Sequence, residues 1–159
     1  MIRRAQPTDR AAVEQIVRDA YSMYIERIGK PPGPMLDDYG ALIADGVISV
    51  CEGSDGTIAA LIVLLPKRDH LLLDNIAVRP DQQGRGLGRQ LIAFAEAEAR
   101  RLGHAELRLY THQKMTENIA LYARLGFVET GRVQEAGYDR VFMTKRLADQ
   151  TGGSPATRT

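Results

Sequence analysis

Apolar residues recur along this chain in two rhythms, and each predicts an element. Val13, Ile16, Val17, Ala20, Tyr24 and Ile28 follow one another at helical spacing, so they form a single stripe on one helix. Pro7-Thr8-Asp9 stands ahead of that stripe and reads as its start, with Thr8 as the cap and Asp9 in the first turn. The run Gly29-Lys30-Pro31-Pro32-Gly33-Pro34 breaks it, and a second, shorter helix is predicted from about Leu36 to Ala44, stopped by Asp45-Gly46. Ile2–Ala5 reads as a short strand in front of both helices.

From Val47 the rhythm changes. Val47–Glu52 and Thr57–Leu65 are β-branched apolar runs separated by Gly53-Ser54-Asp55-Gly56, a hairpin signal. Pro66-Lys67-Arg68-Asp69 turns the chain into a third strand, His70–Val78, which completes an antiparallel meander. A cluster of glycines follows, and Leu87, Leu91, Phe94/Ala95 and Leu102 then return to helical spacing over about Gly86–Leu102. Ala105–Thr111 alternates as a strand, so strand, crossover helix and strand predict a parallel pair. Thr116 is the cap of a further helix that carries Ile119, Tyr122, Ala123 and Leu125 and ends at Gly126. Phe127–Arg132 and Tyr138–Arg146 form a final hairpin across Val133–Gly137. The fold class is α/β of the α+β kind: a mixed central sheet of about six to seven strands with about four helices. Residues 1–147 read as one domain, and the Gly/Ser/Pro/Thr-rich residues 148–159 as a disordered tail.

Composition narrows the classes. The 159 residues are 44% apolar and 26% charged with a net charge of +1, which gives no bulk pull toward nucleic acid or a membrane surface. The N-terminus MIRRAQPTDR has no apolar signal segment, and a cytoplasmic location is the default expectation. Cys51 is a lone cysteine on a strand, read as a small buried hydrophobe, and no Cys/His cluster has metal-ligand spacing, so no metal is expected. His70, at a strand edge, reads as solvated. Tyr21, Tyr24 and Tyr39 are helix-packing tyrosines or the lining of a pocket. Asp74 and Asn75 interrupt an otherwise apolar strand and therefore need partners; Asp74 is either solvent-facing or a carboxylate available as a general base.

The most informative stretch is Leu71–Arg101, where a strand ending Ile76-Ala77-Val78 enters the turn Gln83-Gly84-Arg85-Gly86-Leu87-Gly88 and then a helix. Backbone N–H groups at such a helix N-terminus suit a phosphate or pyrophosphate, and Arg85 and Arg89 add positive charge. No Lys-Ser or Lys-Thr follows the glycines, so the nucleoside-triphosphate loop is absent, and their spacing does not fit the dinucleotide fingerprint. Gln83-x-x-Gly86-x-Gly88 after this strand resembles the acetyl-CoA pyrophosphate loop of the GNAT superfamily of N-acetyltransferases. Asn118-Ile-Ala-Leu-Tyr122-Ala-Arg-Leu-Gly126-Phe127 resembles the superfamily's second signature, a Leu-Tyr-x-x-x-Gly-Phe helix and turn, in the same order along the chain. The resemblance covers roughly Val47 to Leu147.

The resemblance implies a splayed parallel strand pair that holds acetyl-CoA as co-substrate. The backbone of Ile76, Ala77 and Val78 would line the pantetheine arm; Gln83, Gly84, Arg85, Gly86, Leu87, Gly88 and Arg89 would hold the pyrophosphate; Asn118 would bond the arm. An amine would attack the thioester directly, passing through a tetrahedral intermediate whose oxyanion is met by backbone N–H at a strand bulge near Ala77–Val78. Tyr122 would be the acid that protonates the leaving thiolate. The Asn that many members carry before this Tyr falls at Met115 here, and the Glu of the ribosomal-protein acetyltransferase subgroup falls at Tyr110. The general base therefore stays open among Asp74, Glu117 and ordered water, and a small-molecule amine is favoured as the acceptor. A protein or peptide amine acceptor, and a non-catalytic acyl-CoA-binding or sensor module, are the alternatives. A homodimer through the final hairpin or a sheet edge is a further expectation.

Overall fold

The computed structural model describes residues 1–148 and centres on the run Ile58–Pro66, the third strand (β3) of one sheet. Its companions are β1 (Ile2–Arg4), β2 (Ile48–Glu52), β4 (Leu71–Val78), β5 (Glu106–His112), β6 (Val128–Glu135) and β7 (Tyr138–Arg146). Among the described residues the helices are α1 (Arg10–Tyr21), α2 (Met23–Ile28), α3 (Tyr39–Ala44), α4 (Leu87–Arg101) and α5 (Thr116–Arg124). The strand order is β1-β2-β3-β4-β5-β7-β6, antiparallel throughout except for β4 against β5. The mixed sheet is as expected, with one helix more than anticipated.

β3 is apolar along its length because both of its faces are covered. Ala60, Ile62 and Leu64 pack with Leu91, Ile92 and Ala95 of α4, whereas Leu61 and Val63 pack with Val13, Ile16 and Val17 of α1 and Ile43 of α3. The sheet therefore carries α4 and α5 on one side and the N-terminal helices on the other.

The helix boundaries differ from the sequence reading for local reasons. Thr8 does not cap α1. Pro7–Asp9 forms a 3₁₀ turn, and the Asp9 carboxylate accepts the Gln6 N–H at 2.7 Å while pairing with Arg3 at 2.8 Å. The stripe from Val13 to Ile28 breaks at Ser22 into α1 and α2. The helix predicted from Leu36 begins only at Tyr39, because Asp38 takes the cap position and accepts the Ala41 N–H at 3.0 Å, leaving Asp37 extended before it. Thr116 is the first helical residue of α5 rather than its cap, which is Met115. The last hairpin is longer than predicted: β6 runs to Glu135 and turns through Ala136-Gly137, both at positive φ (53° and 79°), a two-residue turn matched to the twist of its strands. Residues 149–159, most of the tail expected to be disordered, lie outside the described residues.

β4 and β5 pair only at Leu71–Leu107 and Leu72–Arg108. Beyond these two steps they part, and the opening positions everything that follows.

One consequence concerns stability. Arg3 holds the Asp9 carboxyl below its usual range, first by hydrogen bonding. A carboxylate of this kind stabilises above its unfolded pKa, and the contribution is lost as pH falls through the folded value. Asp9→Asn is expected to lower stability by about 1–2 kcal/mol near neutral pH. In urea unfolding the difference should narrow below about pH 4.

Candidate active site

The opening begins at an extra residue. Val63 of β3 faces Asn75 and Leu64 faces Leu73, so Asp74 has no partner in β3 and forms a bulge. The bulge shifts the alternation of β4. Leu71, Leu73 and then Ile76 point into the core beneath α4 and α5, whereas Ala77 points to the α1 side. A bulge was expected near Ala77–Val78; it lies at Asp74 because Asn75, just beyond, is drawn toward the N-terminal helices by its partners. Asn75 is 2% exposed. Its Nδ2 donates to the Tyr39 hydroxyl at 2.7 Å. Its Oδ1 lies 2.7 Å from the Tyr21 hydroxyl oxygen, which is also 2.8 Å from the Ile76 carbonyl oxygen, so one phenolic proton serves two acceptors. Tyr39 in turn donates to the Pro34 carbonyl at 2.5 Å. Burial pushes both phenols up, so each stays protonated and able to donate.

Ladder phase decides which backbone groups face the gap. The Arg79 N–H bonds to the Ala59 carbonyl at 2.9 Å. With Val78 opposite Ala60 and Ile76 opposite Ile62, antiparallel alternation turns the polar groups of Ile76 and Val78 away from β3, toward the side that β5 has left. The polar groups of Ala77 point back into β3. Of the three residues expected to line an extended ligand with their backbones, Ile76 and Val78 are thus placed to do so and Ala77 is not.

A cavity of about 260 Å³ occupies the opening. Asp74, Asn118 and Tyr122 line it, as do Tyr21, Asp37, Tyr110, His112 and Arg140. Asp37 and Asp74 lie together in its wall. Burial first, and hydrogen bonding to Asp74 second, push the Asp37 carboxyl up to about 7. Tyr122 is buried against Phe127, with ring centroids 5.7 Å apart, and burial raises its phenol well above the usual range. Among the described residues nothing accepts or donates a hydrogen bond at the Tyr122 hydroxyl. Asn118 lies one helical turn earlier on the same face of α5.

Glu117 is not part of the cavity lining. Both its oxygens are held by Arg27, at 2.5 and 2.6 Å, which lowers its carboxyl to about 2 and leaves it a poor base on the outer surface. His70 pairs with Asp69 at 2.7 Å away from the cavity, and Cys51 is buried in β2. Tyr21 lines the cavity, whereas Tyr24 and Tyr39 pack behind it. Asp37, His112, Tyr138 and Arg140 were not recognised as site residues from the sequence. Asp37 follows a Pro/Gly-rich break that carries no periodic signal. Tyr138, Arg140 and Phe142 do share one phase of β7, a polar and aromatic face that an alternation argument could have flagged.

The glycine turn lies beyond the end of β4, outside the cavity lining. Gly84 and Gly86 adopt positive φ, 81° and 79°, which side chains rarely tolerate, and a Cβ at Gly84, Gly86 or Gly88 would meet open space. Gly88 therefore has no packing reason to be glycine inside the first turn of α4, where glycine weakens a helix. Among the described residues the N–H groups of Gly84, Arg85 and Gly86 donate to no backbone carbonyl. Arg85 and Arg89 are exposed beside them. An open cradle of donors and positive charge fits the diphosphate of a nucleotide-linked cofactor such as coenzyme A. No described helix is long and apolar enough to cross a membrane.

The sheet is thus covered on both faces, opened between its two parallel strands and followed by a glycine cradle. The model of the Acetyltransferase (GNAT) family matches residues 11–127, and the chain belongs to that family. It is 40% identical over 75 residues to the [ribosomal protein bS18]-alanine N-acetyltransferase of Escherichia coli K12, covering 47% of this chain and 51% of that protein. It is 31% identical over 88 residues to the L-amino acid N-acyltransferase MnaT of the same strain, covering 52% of this chain and 51% of that protein. Each match thus spans about half the length of the relative. The PaiA N-acetyltransferase of Thermoplasma acidophilum, solved in complex with coenzyme A, shares the fold with a TM-score of 0.74 at 16% identity, covering 92% of this chain and 98% of that one.

Asn75→Ala should leave the Tyr39 and Tyr21 hydroxyls without their buried partner. A loss of about 1–3 kcal/mol is expected, read from the urea midpoint at unchanged m-value.

Proposed function

We propose that this chain is an acetyl-CoA-dependent N-acetyltransferase that transfers an acetyl group to the primary amine of a small molecule. One observation carries the reading: a buried phenol, Tyr122, with no hydrogen-bond partner among the described residues, lines the same cavity as two carboxyls, Asp37 and Asp74. A sensor that only binds acyl-CoA needs neither group.

The co-substrate supplies an acetyl thioester. Backbone N–H groups from Gln83 to Gly88, with Arg85 and Arg89, hold its pyrophosphate. The gap-facing groups of Ile76 and Val78, with Asn118, align its extended arm and offer N–H donors to the carbonyl oxygen as negative charge develops there. Asp74, supported by Asp37, takes a proton from the incoming ammonium so that the nitrogen lone pair can form the new C–N bond. As the C–S bond breaks, its electron pair stays on sulfur and the Tyr122 hydroxyl supplies the thiol proton. The second proton released by nitrogen returns to Tyr122 through solvent in the cavity. No nucleophilic side chain of the protein is required.

Of the relatives, one is named for an alanine of a ribosomal protein and the other for L-amino acids. The cavity favours the small acceptor. The loop that carries Asp37 is tied across it, with Tyr138 donating to the Pro31 carbonyl at 2.8 Å and Lys30 Nζ to the Gly137 carbonyl at 2.6 Å.

Calorimetric titration with acetyl-CoA, with CoA and ATP as comparisons, tests the cradle: micromolar binding of acetyl-CoA without ATP binding is expected. Gly86→Glu should abolish it, because the side chain forces a strained φ and places negative charge in the cradle. Tyr122→Phe should lower turnover by about 10²-fold or more while the Kd for acetyl-CoA stays within about twofold. Unchanged turnover would remove Tyr122 from the acid role. The rate at low acceptor concentration should rise with pH around a midpoint near 7. Asp37→Asn should move that midpoint to lower pH by removing the carboxyl that titrates there. A midpoint that stayed in place would exclude Asp37 from the titrating pair.

A further inference from the structure

Besides its acid pair, the cavity contains one permanent positive charge, Arg140. Arg140 lies on β7 opposite His112 of β5, and Tyr110 is the next β5 residue on that face. Its guanidinium lies 4.4 Å from the centre of the Tyr110 ring. The guanidinium lies over the ring, and one Nη donates to the Glu135 carboxylate at 2.8 Å. Among the described residues it makes no other hydrogen bond, so most of its five N–H donors are uncommitted. Its side chain is only 23% exposed, which limits competition from water. Burial first pushes the Tyr110 phenol up; Asp74, Asp37 and Glu135 add to the rise, and Arg140 opposes it. The acid pair and the guanidinium thus flank one ring. The cavity lining sets two carboxyls, Asp37 and Asp74, against the guanidinium of Arg140, which also pairs with Glu135. The lining also includes apolar Pro32, Pro34 and Leu36 and the Tyr138 ring.

We propose that the acceptor is a free α-amino acid with an apolar side chain, whose carboxylate is held by Arg140 while its ammonium faces Asp37 and Asp74. The inference rests on the N-acetyltransferase reading and deepens it. A planar guanidinium fork matches a carboxylate in two-point geometry, which a neutral amide cannot reproduce. Arg140 is accordingly a specificity residue: it touches the acceptor and leaves the thioester chemistry to other groups. A peptide N-terminus has an amide where the free acid has its carboxylate, so the same residue would select against peptide acceptors.

The test measures CoA thiol release with L-leucine, L-leucinamide and isoamylamine, extended to the other common L-amino acids and their amides. The wild-type protein is expected to favour free acids over the matching amides by about 10- to 100-fold in kcat/KM, as a charge-assisted pair predicts. In Arg140→Met the ratio should fall to near 1, with the loss for the free acid mainly in KM. Arg140→Lys, which keeps the charge and loses the fork, should fall between. Equal use of acids and amides by the wild type, or a preference that survives Arg140→Met, would overturn the inference and leave the transferase reading standing. Turnover of no amine at all, with acetyl-CoA bound, would overturn both. Should Arg140→Met fail to fold, thermal shifts of the wild-type protein with CoA decide the matter: stabilisation by L-leucine and not by L-leucinamide supports the inference, and equal shifts overturn it.

Discussion

β4 cannot satisfy both of its neighbours, and the rest of the molecule is arranged around that fact. It pairs with β3 over its length, but with β5 for only two steps. Backbone polar groups left inside a protein are costly unless they find partners. The Asp74 bulge sets which groups are exposed by the separation, and Tyr21 covers one of them, the Ile76 carbonyl. The bulge also re-aims side chains. It turns Asn75 into the N-terminal helices and leaves Asp74 at the opening, so a shift of one residue produces both an anchor and a site.

The N-terminal helices are therefore more than a cover for the sheet. Tyr21 and Tyr39 come from α1 and α3, close on Asn75 from two directions and keep β4 from returning to register with β5. Their hydroxyls are spent in this clamp, which separates them chemically from Tyr122, whose hydroxyl has no protein partner among the described residues. Tyrosines that look alike in sequence differ in availability once their bonds are traced. The same holds for carboxylates. Glu117 is bound by Arg27 on the outside and its carboxyl is lowered, whereas burial pushes the Asp37 carboxyl the opposite way.

The parts of this arrangement that were legible in sequence are those with local causes. The meander, the crossover helix and the glycine turn follow from periodicity and from residues that permit positive φ. Asp74 and Asn75 were conspicuous as polar residues in an apolar strand, and both proved to have specific surroundings. The position of the bulge was not legible, because it depends on Asn75 reaching two tyrosines that lie far earlier in the chain. Asp37 and Arg140 were missed for a related reason. Each is an ordinary charged residue in its own segment and becomes distinctive only when the Pro32–Asp37 loop folds over β5 and β7. Helix starts failed where a side chain outside the expected cap, Asp9 or Asp38, supplied a better acceptor.

The separation also joins the two faces of the sheet. Tyr122 belongs to the core beneath α4 and α5, Tyr21 belongs to the core beneath α1 and α3, and both line the same cavity. A co-substrate seated by the glycine cradle and an acceptor seated beneath the loop would meet within β4 and β5 themselves, at a point where neither need leave before the other reacts. Such a meeting makes direct transfer the economical chemistry. A covalent relay would need a nucleophile in the opening, and the chain's lone cysteine is buried in β2 instead. What the opening brings together is a pair of carboxyls, Asp37 and Asp74, and the phenol of Tyr122, all lining one cavity.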